Sequence, residues 1–124
     1  MPTDSKVSKL ISTLTWATVS GELIWQIVEP PSSLRQGSDD IVALYIECNF
    51  KNQRIGLYER RYRDYQPDLD SWYWASAIHM VFFDRFERVI WEHGEPSTAF
   101  YNLFVVARDS ASGIDGILKG LVEG

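Results

Sequence analysis

The sequence predicts an α+β fold, a five-stranded antiparallel meander with N- and C-terminal helices packed on one face. Apolar residues recur at three- and four-residue steps only near the two ends of the chain. Between the ends the pattern changes to two-residue alternation and short β-branched, aromatic runs. These runs follow one another through connections too short for a crossover helix, so sequential strands should pair antiparallel.

The first helix is expected in "DSKVSKLISTL", with Asp4 or Ser5 as N-cap and Val7, Leu10, Ile11 and Leu14 as its apolar stripe. After Ser20-Gly21, "ELIWQIVE" reads as a short strand ended by Pro30-Pro31, because proline cannot donate to a sheet ladder. "PPSSLRQGSDD" is a polar loop. In "IVALYIECNF", Val42, Leu44, Ile46, Cys48 and Phe50 alternate with Tyr45, Glu47 and Asn49, the pattern of a half-buried strand. Lys51-Asn52-Gln53 makes a turn, and "RIGLYERRYRDY" completes a hairpin with Ile55 and Leu57 inward.

"SWYWASAIHMVFF", residues 71–83, follows the loop "QPDLD". A helix would align Trp72, Ala75, Ser76, His79 and Phe83, a poor stripe. As a strand both of its faces are apolar, which predicts a central strand covered on both sides. It is also shorter than the roughly 18 apolar residues of a spanning helix, so no membrane role is expected. "DRFER" is the next turn and "VIWEH" the last strand.

From Pro96 and Ser97 or Thr98 the period is helical again, with Leu103, Val106, Ser110, Ile114, Ile117 or Leu118, and Leu121 in step. Gly113 and Gly116 each weaken a helix by about 1 kcal/mol relative to Ala, so one kinked helix or two short ones are expected. With both helices on one sheet face, the other face of 71–83 lacks cover from its own chain. Tyr73, Val81 and Phe83, or Trp72 and Trp74, would then sit in water, and an apolar patch of that kind marks an interface. The expectation is a homodimer pairing sheet faces, with Trp72, Tyr73, Trp74, Val81 and Phe83 in the interface. A ligand or protein groove is the alternative.

The 124 residues suit one domain spanning 1–124, and 45% hydrophobic content with five Trp supplies a core. The net charge of −5, from 17 acidic and 12 basic residues, argues against broad nucleic-acid or anionic-membrane binding. The lone Cys48 cannot form an internal disulfide and "MPTDSKVSKL" lacks a signal-peptide core, so a cytoplasmic protein is expected.

Candidate chemistry is sparse. His79 lies among apolar neighbours, as a core or interface histidine does. His93 has Glu92 and Glu95 near it in sequence, but no complete ligand set. Cys48 falls on the inward face of its strand, and Asp68 and Asp70 lack the rest of a calcium loop. Asp39-Asp40 reads as a solvated pair. No phosphate-binding glycine loop or nucleophile elbow occurs. No catalytic residue, metal ligand or cofactor is predicted, and the chain is not expected to be an enzyme.

"YERRYRDY", residues 58–65, is the one polar stretch with binding character. In a strand Tyr58, Arg60 and Tyr62 share one face, and Arg61, Arg63 and Tyr65 the other. Arginine forks grip phosphates and carboxylates, and tyrosine rings offer stacking platforms. This set would take a small anionic, nucleotide-like ligand or an acidic protein partner. The competing expectation is cross-pairing of these arginines with Glu47, Asp64 or Asp84.

The segments "GELIW" (21–25) and "FYNLFVVARDSASGIDGIL" (100–118), with the strands between them, resemble a loose group of small bacterial and phage-associated α+β domains. That group shows an N-terminal helix, a G-x-L-x-W strand, a meander, and a C-terminal helix ending in a Ser-Ala-x-Gly-hydrophobic-Asp segment. The resemblance implies this fold and no agreed activity. Taken together, these readings predict a non-enzymatic protein-interaction module, homodimeric through an aromatic sheet face, with the anionic-ligand binder as the alternative.

Overall fold

The computed structural model describes residues 2–34 and 40–123. Helix α1 (Pro2–Val19) leads into β1 (Gln26–Ile27), β2 (Ile41–Phe50), β3 (Gln53–Gln66), β4 (Ser71–Phe83) and β5 (Val89–His93). Helices α2 (Thr98–Ser112) and α3 (Ile114–Glu123) close the chain. The strands lie side by side in chain order, every neighbouring pair antiparallel. This is the α+β meander that the change of hydrophobic period predicts.

The main core lies between the sheet and the helices. Ile46, Cys48, Ile55, Leu57 and Met80 from the sheet meet Ile11 and Leu14 of α1 and Phe100, Leu103, Phe104 and Ala107 of α2. Val7 and Leu10 pack at its margin, so the apolar stripe read for the first helix is the one that faces inward. That helix starts at Pro2, ahead of Asp4 and Ser5, because proline at a first helical position is pre-set for the helix and gives up no needed N–H. Near its other end, Thr18 Oγ1 donates to the Leu14 carbonyl at 2.7 Å and accepts from Trp25 Nε1 at 2.8 Å. Trp25, 2% exposed, is thereby drawn into the core, and the strand expected over "ELIWQIVE" shrinks to two residues.

Lys51 and Asn52, with φ of 50° and 66°, form the two-residue turn between β2 and β3, a primed turn whose twist suits a hairpin. At the other end of the molecule Ser97 caps α2, its hydroxyl accepting from Phe100 N at 3.1 Å. Gly113, at φ 67° and ψ 33°, ends α2 in a left-handed cap, and the second of the two expected arrangements is realised, two helices. The stripe does not continue inward past this break. On α3, Ile117, Leu118, Leu121 and Val122 are all exposed.

Candidate protein-interaction surface

The β3–β4 hairpin runs past the rest of the sheet. Its two strands pair from Arg54↔Phe83 to Gln66↔Ser71. On one flank β2 reaches only to Ile41↔Arg61, and on the other β5 reaches only to Met80↔His93. The proximal half is therefore a sheet interior and the distal half a two-stranded arm.

This division corrects the expectation that strand 71–83 is covered along its length. Met80, Val81 and Phe83 are buried, whereas Trp72, Tyr73 and Trp74 are 62%, 44% and 55% exposed. Nor is the second sheet face left bare. Val81 and Phe83 join Tyr45 and Tyr58 in a second core, against which Leu34 and Val42 pack. Val42 is thus not on the face of Leu44 and Ile46 as its spacing predicts, because the register shifts between Val42 and Leu44. Pro31 is buried too, and Ser33 Oγ donates to the Glu87 carbonyl at 3.0 Å, tying this cover to the β4–β5 turn. Val81 and Phe83 therefore have no surface to offer a partner. The signal was hard to read because Pro31 and Leu34 sit in a polar stretch with no periodicity.

Two close contacts shape that second core. A β-carbon on Gly56 would lie 2.7 Å from the Tyr45 hydroxyl, so the missing side chain lets the Tyr45 ring lie across β3. Tyr45 in turn donates to Glu47 at 3.2 Å, and Glu47 takes both Arg54 Nε (3.0 Å) and a terminal Arg54 nitrogen (2.9 Å). Arg54 also reaches Glu87 at 3.1 Å and lies over the Phe83 ring. These carboxylates raise the Arg54 pKa, and burial raises that of Tyr45.

The arm carries a cluster of rings on the face it shares with the helices. Tyr65 lies 5.3 Å from Trp72, and the Arg63 guanidinium sits 5.9 Å from the centroids of both Trp72 and Trp74. On the opposite face Tyr73 donates to Asp64 at 3.1 Å, and at the tip Tyr65 donates to Asp70. Those hydrogen bonds raise the pKa of both phenols and keep them neutral. The arm is thus an ordered surface of large rings held by its own polar contacts.

The Arg/Tyr set does not converge. Tyr58 is fully buried under Arg60, which donates to its hydroxyl at 2.9 Å. Arg60 also faces Glu92 at 3.8 Å and Asp40 at 3.9 Å. Arg61 pairs with Glu59 at 3.3 Å, and Arg63 is spread over the two indoles. Tyr62 is half-buried and Tyr65 exposed, on opposite faces of β3. Cross-pairing is the outcome, though its carboxylates are Glu59, Glu92 and Asp40 rather than Glu47, Asp64 or Asp84, and Glu47 is held by Arg54 instead. Asp39 lies outside the described residues.

His79 stacks on Tyr58 at 5.3 Å and 17°. Its Nδ1 is 2.8 Å from Glu92 Oε1, a hydrogen-bond distance, but the ring N–H is not aligned on that oxygen and makes no hydrogen bond. Gly94 passes close beside the Nδ1–Cε1 edge of the ring, where a β-carbon would come within 2.8 Å of Nδ1. Burial first, and Arg60 second, lower the His79 pKa against the opposing pull of Glu92. His93 points to the other sheet face, stacked on Trp91 and edge-on to Phe100 at 4.8 Å, so Glu92 and His93 do not form one site. Among the described residues no group of three or more His, Cys, Asp or Glu side chains is placed to hold a metal. Cys48 is 5% exposed and its thiol is pushed up to about 12, chiefly by burial, which leaves it unreactive at neutral pH. No helix among the described residues is long and apolar enough to cross a membrane.

Between the base of the arm and α2 runs a cleft of about 440 Å³, floored by Ser76 and Ile78 and walled by Phe100, Tyr101, Phe104 and Arg108. Sequence reasoning missed it. Its helical wall includes Tyr101 and Arg108, which lie off the stripe that marks the buried side of α2. No family model, curated protein or solved structure matches this chain.

Proposed function

We propose that this chain is a non-enzymatic protein-interaction module that associates through the β3–β4 arm, with a homodimer as its working form. The observation that carries the reading is the exposure of Trp72, Tyr73 and Trp74 on one ordered strand. Large rings held in water on a rigid support supply contact area at low entropic cost, and tryptophan and tyrosine are the residues that dominate interface energetics. The anionic-ligand alternative loses its basis because Arg60 and Arg61 are matched by carboxylates of the chain and Arg63 by indoles. Relative to the sequence-based expectation, the contact surface shifts from the second sheet face to the arm. Sedimentation velocity over a range of concentrations tests it. The native chain is expected to move reversibly from monomer to twice its mass, and a Trp72→Ser, Trp74→Ser double variant to stay monomeric with its fold intact. A native chain that stays monomeric up to submillimolar concentration overturns the reading.

A further inference from the structure

Resting on that interaction reading, we infer that two copies join edge to edge through β4, antiparallel, about a two-fold axis at Ala75, so that the two meanders form one continuous sheet. The outer flank of β4 has no strand partner among the described residues from Ser71 to His79. An open edge presents unpaired N–H and C=O groups, and proteins ordinarily guard it with charge, proline or a bulge. The sequence "SWYWASAIH" contains none of Asp, Glu, Lys, Arg or Pro, and its pairing with β3 is regular throughout. The far flank of the same arm is guarded, since Arg63 and Asp64 lie on β3 beyond its last pairing with β2. One edge of the arm is closed to strand addition and the other lacks a strand partner, with Gly94 beside His79 and Pro96 and Ser97 near Ala77 and Ile78 at its base.

The open edge is complementary to itself. Antiparallel pairing about Ala75 sets Trp74 opposite Ser76 of the other copy, Tyr73 opposite Ala77, Trp72 opposite Ile78 and Ser71 opposite His79. Both large central rings therefore meet a small residue, on each side of the axis, and no like charges face each other. Alternation places Trp72, Trp74, Ser76 and Ile78 on the helix side of the sheet, where Ile78 packs against the main core. The indoles of one copy then arrive over Ser76 and Ile78 of the other, which floor the cleft beside α2. Tyr101, 56% exposed on the cleft wall, covers them. At their observed exposures Trp72, Tyr73 and Trp74 offer roughly 350–400 Å² per copy, about half of the ~800 Å² per partner of a standard interface.

Oxidative cross-linking of the full chain tests the axis. Cysteine at position 75 faces its own mate at a cross-strand β-carbon spacing of about 4.5–5.5 Å, close enough for a disulfide with slight adjustment. Cysteine at position 77 faces Tyr73 instead. Ala75→Cys is expected to give a covalent dimer reversible by thiol, and Ala77→Cys and the native chain, whose Cys48 is buried, to give none. A native chain that is monomeric defeats the interaction reading itself. A native dimer in which Ala75→Cys does not cross-link, or Ala77→Cys cross-links as readily, leaves that reading standing and overturns the two-fold edge.

Discussion

His79 shows how far one side chain depends on its neighbours. Its ring stacks on Tyr58 and lies close beside Gly94, with Arg60, Glu92 and Asp40 as the charges acting on it. The folded chain prefers the neutral imidazole, while the unfolded chain binds a proton near the ordinary value of 6.5. A depressed folded pKa means that the unfolded state takes up protons first as pH falls. The contribution to stability is complete above 6.5 and declines below it, towards the folded pKa. The urea midpoint of the native chain is therefore expected to fall more steeply between about pH 7 and about pH 5.5 than that of a His79→Gln variant. Equal slopes in the two proteins would contradict this account of His79.

At the scale of elements, the two C-terminal helices behave as opposites. In α2, Phe100, Leu103, Phe104 and Ala107 are buried, whereas α3 keeps Ile117, Leu118, Leu121 and Val122 in solvent. Leu103→Ala should therefore cost about 2–5 kcal/mol in denaturant unfolding of dilute protein. Leu121→Ala, at a position 76% exposed, should change stability by no more than about 0.5 kcal/mol. Comparable losses would mean that α3 is packed in solution.

Much at this scale is legible from sequence, because α1 buries one face and β2 alternates cleanly from Leu44 to Cys48, although Tyr45 on its second face is buried as well. The left-handed break at Gly113 is legible for the same local reason. What period cannot report is where pairing stops. The extra residues Ala43 on β2 and Ile90 on β5 shift the registers, and both flanking strands end while the hairpin continues. The apolar run 71–83 thus reads as one buried strand but spans a covered half and a wet half. The Arg/Tyr stretch fails as a site for a related reason. Strand alternation sends its members to two faces, and carboxylates distant in sequence, such as Glu92, meet them only after folding.

For the whole molecule the balance of surfaces points outward. One sheet face is covered by α1 and α2, and Leu34 packs on the other, while the arm keeps its large rings exposed. An acidic chain of net charge −5 repels its like at long range, so association has to come from a surface without charge, and the outer edge of β4 is one.

Amide hydrogen exchange, followed at low and high protein concentration, tests this most directly. Amides in residues 71–79 are expected to gain protection as concentration rises, in step with the appearance of dimer, while those of β2 stay unchanged. Exchange across 71–79 that is equally fast at both concentrations would contradict association through the arm.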